Sequence, residues 1–130
     1  MMEAESERRK VLRADINVFI NEEAETGMTI IARAADISPQ GLRYFKQMNN
    51  ELMPTDDVKV EFVLPDDELP ICAEGRVVHA GEGNEIQEFG IVFTWISSSD
   101  SERIRRYVLK RKQAEIFDVL HQLHVAALQS

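Results

Sequence analysis

The sequence predicts a mainly-β domain of six short strands followed by one long C-terminal helix. Three observations predict it. Apolar residues alternate with polar ones in six short segments spaced at roughly 8 to 15 residues, with no helical pattern between them. Proline, glycine and asparagine punctuate the gaps between those segments. The last thirty residues then change to a helical period. A length of 130 residues sets the expectation of a single domain with one core. Hydrophobic residues at 44% and charged residues at 29% lie near the averages of globular chains, which excludes disordered, collagen-like and low-complexity classes.

The first strand is expected over residues 15–20, where Ile16, Val18, Phe19 and Ile20 give β-branched and aromatic character. Residues 21–27 then read as a turn. A second strand spans 28–37 and stops at Ser38-Pro39-Gln40-Gly41, where proline and glycine supply turn chemistry. Residues 42–45 restart an extended pattern, and 49–57 form a loop. The alternation of Val58, Val60, Phe62 and Leu64 marks a half-buried strand closed by Pro65-Asp66-Asp67. Two more strands, 70–79 and 85–95, are joined by 80–84 as a hairpin. Glycines 75 and 90 inside these strand patterns suit bulges or bends. An antiparallel sheet that curls into a barrel or a sandwich accommodates all six.

Ser99-Asp100-Ser101-Glu102 has the S-x-x-E form of a capping box, with acidic side chains in the first turn. Beyond it Leu109, Ile116, Leu120, Leu123 and Ala127 fall on one helical stripe, widened by Phe117. The helix is expected over 99–128. At about 1.5 Å per residue it exceeds the width of a small barrel, so its end projects or bends near residues 110–113. The organisation read from the chain is one domain over 1–130: a mobile charged arm 1–13, a barrel 14–97 and the helix 99–128.

The formal charge of −8 makes DNA and RNA poor partners for the chain as a whole. Its basic residues are local: Arg8, Arg9, Lys10 and Arg13 at the start, and six between 103 and 112. Residues 14–101 hold only Arg33, Arg43, Lys46, Lys59 and Arg76 against 17 acidic side chains. A small anionic ligand held at one place fits this distribution better than a long polyanion. The longest apolar run, residues 125–128, is far short of a membrane span. The charged start lacks the features of a signal peptide. One cysteine, Cys72, cannot form an internal disulfide. A cytoplasmic location is the expectation.

Signatures of catalysis are few. Gly81-Glu82-Gly83 fails the dinucleotide fingerprint because Ile86 stands where its third glycine belongs. His121 and His124 lie one helical turn apart without a third ligand and read as solvated. Cys72 reads as a small buried hydrophobe. The acidic runs at 56–57 and 66–68 read as turn formers beside prolines. Phe93 and Trp95 read as core or barrel-rim packing.

Two segments carry more chemistry. Arg9-Lys10-Val11-Leu12-Arg13 places two guanidinium groups four residues apart just before the first strand, with Arg8 adding a third. Asp36-Ile37-Ser38-Pro39-Gln40-Gly41 then combines a carboxylate, a hydroxyl and a glycine at a strand-to-strand turn. Arginine forks onto phosphate and onto the O6 and N7 acceptors of guanine. Aspartate accepts from guanine N1–H and its amino group, serine donates, and glycine admits close backbone approach. Together they suit a guanine nucleotide with several phosphates.

R-x-x-x-R, a strand, D-x-S-x-x-G, a β-rich chain and a terminal helix together resemble the PilZ domain family of bacterial cyclic di-GMP receptors. The resemblance runs over residues 7–112 and includes Gly75-Arg76-Val77-Val78 and Gly90-Ile91-Val92-Phe93. It implies a six-stranded antiparallel β-barrel with the C-terminal α-helix packed on one mouth. By that resemblance Arg9 and Arg13 grip the phosphates and the Hoogsteen edges of guanine, while Asp36, Ser38 and Gly41 line the surface for the other base. An arginine at position 8 implies two cyclic di-GMP molecules per chain.

The function expected is that of a single-domain receptor or adaptor that binds this second messenger and relays its level to a protein effector. The ligand is cyclic di-GMP, with no cofactor and no metal. The alternative is a structural or adaptor protein of the same fold that binds no nucleotide. An enzyme would need a general base or metal beside the phosphates, which Asp36 alone does not supply. The apolar stripe on the C-terminal helix is expected either to fold back on the barrel, to make a homodimer, or to meet a target protein.

Overall fold

The computed structural model describes residues 12–24, 27, 29–47, 56–81 and 86–129. Its elements in chain order are β1 (Ala14–Ala24), β2 (Thr29–Ser38), β3 (Gly41–Gln47), β4 (Asp57–Phe62), β5 (Ile71–Ala80), β6 (Ile86–Ile96) and α1 (Ser98–Gln129). The strands close into an antiparallel barrel in the order β1-β2-β3-β6-β5-β4, with β1 pairing β4 to shut it. Closure removes the unpaired edges that an open sheet would expose.

Alternation decides which residues line the interior. Val58, Val60 and Phe62 of β4, and Ile71, Ala73 and Val77 of β5, are buried while their neighbours face outward. Leu42, Tyr44, Phe89 and Ile91 fill the middle of the same core. The two in-strand glycines of β5 and β6 lie beside register shifts, between Glu74 and Gly75 and between Val77 and His79, the latter pairing with Gly90. Each shift adds local twist where the sheet bends round.

Residues 21–24, expected to begin a turn, instead continue β1 as far as Ala24. The reason is Glu22. Its carboxylate is buried inside the barrel, where it accepts from the Tyr44 hydroxyl and, at 2.6 Å, from Lys46 Nζ. An apparently polar run thus has an inward-facing partner set that keeps the strand going.

The β4–β5 connection makes a turn in which Asp67 N–H donates to Leu64 O at 3.1 Å. Pro65 and Asp66 occupy its centre, and Asp66 has φ 64°, the geometry of a type II turn with proline first. This turn holds the helix. Arg103 donates to Asp67 Oδ2 and to Leu69 O, each at 2.6 Å. The Arg103 hydrogen bond keeps the Asp67 carboxyl below its ordinary pKa.

The cap of α1 is Ser97, whose Oγ accepts from Asp100 N–H at 3.1 Å; the helix therefore starts at Ser98, before the cap expected at Ser99. Ser98, Ser99, Asp100 and Ser101 follow Ser97, each of a type that caps helices, so residue type alone does not fix the first turn. Ile104 and Val108 enter the barrel core, and Tyr107 donates to Asp15 O at 3.0 Å. These contacts seat the first three turns on one mouth. The helix stays continuous through residues 110–113 and runs on past the barrel. Among the described residues, no helix is long and apolar enough to cross a membrane.

Candidate functional site

The site is built by a bulge. In β2, Ala32 and Ala34 face the interior, so strict alternation would send Asp36 inward as well. The pairing with β3 slips between Ala34 and Asp36, leaving Ala35 as an extra residue, and the phase inverts so that Ile37 is buried instead. Asp36 is thereby turned to the outer surface, directly opposite Arg43 of β3 and Asp15 of β1.

Two guanidinium groups meet its carboxylate. Arg13 Nη1 lies 3.6 Å from Asp36 Oδ1, and Arg43 Nε lies 3.7 Å from Oδ2. Arg43 also donates from Nη1 to Glu88 Oε1 at 3.0 Å and lies 5.8 Å from the centroid of the Phe45 ring. Asp36 Oδ1 is buried and accepts no hydrogen bond from any of the described residues. A buried acceptor without a donor is costly, and its ion pairs lie too far off to replace one. Among the described residues the cluster therefore holds two cations beside a buried acceptor that neither of them satisfies.

Ser38 is fully buried at the end of β2, and its Oγ accepts from Gln40 N–H at 3.2 Å. Its hydroxyl shapes the two-residue turn made by Pro39 and Gln40. That turn is fastened to the sheet by Phe93 N–H donating to Gln40 O at 2.8 Å. Gly41 follows where β3 presses on β6: a Cβ there would stand 2.2 Å from the Ile91 carbonyl oxygen. Only a residue without a side chain permits this approach.

Of the site residues expected from the sequence, the structure brings Arg13 and Asp36 into one cluster and puts Ser38 and Gly41 in the adjoining turn. Arg8 and Arg9 lie outside the described residues. Sequence reasoning missed Arg43 and Glu88. For Arg43 a signal existed, since it lies between inward-facing Leu42 and Tyr44 on the strand that leaves the D-x-S-x-x-G turn. Glu88 gave none, because its approach to Arg43 depends on the β3–β6 register.

Other sequence readings are refined. Cys72 is exposed on β5 rather than buried; desolvation, then the carboxylates of Glu61 and Asp100, push its thiol pKa up, which disfavours the thiolate. It faces outward because Ile71 and Ala73 take the inward phase. Trp95 is likewise exposed at 57%, while Phe93 packs against the core. The register shift between Glu74 and Gly75 separates the two. His121 and His124 are exposed. Among the described residues no three His, Cys, Asp or Glu side chains gather closely enough to hold a metal ion.

Comparison with known proteins adds the family. The chain is similar to the Bacillus subtilis inhibitor of motility MotI (DgrA), with a TM-score of 0.74 at 18% identity, covering 82% of this chain and 52% of that one. It is similar to the PilZ domain of Escherichia coli YcgR solved with cyclic di-GMP, with a TM-score of 0.68 at 12% identity, covering 86% and 97%. The K. pneumonia MrkH–cyclic di-GMP complex gives 0.63 at 19%, covering 79% and 51%. The chain spans about half the length of MotI and of MrkH. No curated protein shows a significant match. At these identities the structural likeness speaks for the barrel and helix alone, but the sequence profile of the PilZ domain matches residues 4–110, and the chain belongs to the PilZ domain family.

Proposed function

We propose that this chain is a cytoplasmic bacterial receptor for cyclic di-GMP that passes the second-messenger level to a protein effector through surface contacts. One observation carries the reading: the fold brings Arg13, from one motif, within 3.6 Å of Asp36, from the other, and among the described residues none donates a hydrogen bond to the buried Asp36 Oδ1. Guanine N1–H and its amino group are donors of the kind that oxygen lacks, and the phosphates supply the negative charge that Arg13 and Arg43 attract. The YcgR domain and MrkH, which share the fold, were solved with this nucleotide.

Arg9 joins Arg13 on the phosphates and guanine edges in this reading, and Arg8 admits a second, stacked nucleotide. A stacked pair concentrates four phosphates, whose repulsion a further guanidinium offsets. Asp36 reads one guanine, with Ser38 and Gly41 shaping the turn beside it. The chemistry is binding, with the nucleotide released intact.

Calorimetric titration with cyclic di-GMP tests the reading. Saturation at two nucleotides per chain, with little heat from cyclic di-AMP, is expected. Absence of heat with cyclic di-GMP would instead make the chain a PilZ-fold adaptor that binds no nucleotide, and saturation at one would reject the stacked pair.

A further inference from the structure

The part of α1 beyond Lys112 leaves the barrel with a broad apolar surface uncovered. Ile116, Phe117, Val119, Leu120, Leu123 and Leu128 are all more than half exposed, Phe117 at 70%. At 100° per residue, the stripe of Leu109, Ile116, Leu120, Leu123 and Ala127 is turned by about 110° from Ile104 and Val108, which face the barrel. The stripe therefore does not prolong the barrel-facing surface. Bending the helix back would present a different face to the chain's own core.

The spacing has the period of a paired helix. Leu109, Ile116 and Leu123 repeat every seven residues, as do Gln113, Leu120 and Ala127, and the two rows interleave as the d and a positions of a coiled coil. We propose that α1 pairs antiparallel with α1 of a second copy of this chain. The two-fold axis would pass at position 118, setting Leu109 against Ala127, Gln113 against Leu123 and Ile116 against Leu120 of the second copy. Phe117 and Val119 flank the axis and broaden the contact.

Area and charge both support that occupant. Ile116, Phe117, Val119, Leu120 and Leu123, which lie on or beside the seam at more than half exposure, have roughly 150 to 200 Å² each when fully exposed and so offer about 450 to 600 Å² per copy, the low end of the range of specific interfaces. Six of the 15 basic residues lie between 103 and 112. Parallel pairing would stack these clusters at one level, with Lys110 and Lys112 flanking the seam of both copies. Antiparallel pairing sets those lysines opposite His124 and Ala126 instead. It also brings basic side chains to the last turn of the other helix, which has none of its own to complement its dipole.

Sedimentation equilibrium of the full chain is expected to give the mass of two chains. Leu120→Lys, at an exposed position, should weaken association at least ~30-fold while keeping a cooperative thermal melt. Orientation is read by oxidative cross-linking in a Cys72→Ser background. Leu123→Cys alone should give no covalent dimer, whereas Leu123→Cys mixed with Gln113→Cys should link the two chains. A single-chain mass up to millimolar concentration would overturn the pairing and leave the face to another protein. Self-linking of Leu123→Cys would overturn its antiparallel sense.

Discussion

Arg43 Nε lies 3.7 Å from the Asp36 carboxylate while Nη1 of the same side chain donates to Glu88 at 3.0 Å, so one guanidinium is shared between two carboxylates. With Arg13 on the other side of Asp36, two positive and two negative groups meet here among the described residues. In the proposed reading a phosphate of the ligand competes with Glu88 for Arg43. Glu88→Gln is expected to tighten cyclic di-GMP binding by roughly 1.5- to 5-fold, the scale of one partly exposed ion pair, and Arg43→Ala to weaken it. Calorimetry on both variants checks this; equal affinity in all three proteins would remove Arg43 from the site.

Arg13→Ala should weaken cyclic di-GMP binding by about 1 to 3 kcal/mol, or roughly 5- to 150-fold in Kd. The barrel should keep its melting temperature, because Arg13 precedes β1 and its side chain is half exposed. Arg9→Ala is expected to act alike. Undiminished binding in both variants would refute the arginine assignment.

The sequence made the six strands and the helix legible because alternation and turn chemistry are local signals. It misread residues 21–24 because Glu22 looks like a turn residue until Tyr44 and Lys46, more than twenty residues away, supply its partners. Phase alone held a clue, since Glu22 follows Ile20 by two and Lys46 follows Tyr44 by two. The sequence singled out Arg13 and Asp36, which the fold brings together, but the device that unites them was not legible. Nothing in Ala34-Ala35-Asp36 announces a bulge, which exists only through pairing with β3. Ser38 illustrates the same limit, since its burial follows from β6 closing over the turn.

Gly41→Ala should loosen the site through the sheet that supports it. The added methyl would meet the Ile91 carbonyl at 2.2 Å, a backbone atom that cannot swing aside, so β3 must move from β6. A cost of about 1 to 3 kcal/mol is expected, seen as a lower midpoint in urea unfolding. An unchanged midpoint would show that the two strands separate freely.

The buried group of Glu22, Tyr44 and Lys46 should give the barrel a marked dependence on both mutation and alkali. Lys46 Nζ lies 2.6 Å from Glu22 and 4.6 Å from the centroid of the Phe89 ring, with no exposed surface on its side chain. Lys46→Met would strand the Glu22 carboxylate in the core and is expected to cost about 3 to 5 kcal/mol, whereas adding Glu22→Leu should recover most of that loss. Burial, then the charge and hydrogen bond of Glu22, hold the Tyr44 hydroxyl pKa far above its ordinary value. The folded chain therefore keeps this proton at a pH where an unfolded tyrosine, with a pKa near ~10, releases it. Its contribution is fully present below that unfolded value, and it declines as pH rises above it, because the unfolded state then binds fewer protons. Urea midpoints should fall between pH 9 and pH 11 more steeply in the wild type than in Tyr44→Phe, which has no such proton at this position. Equal slopes in the two proteins would mean that this hydroxyl ionises in the folded barrel as readily as in water.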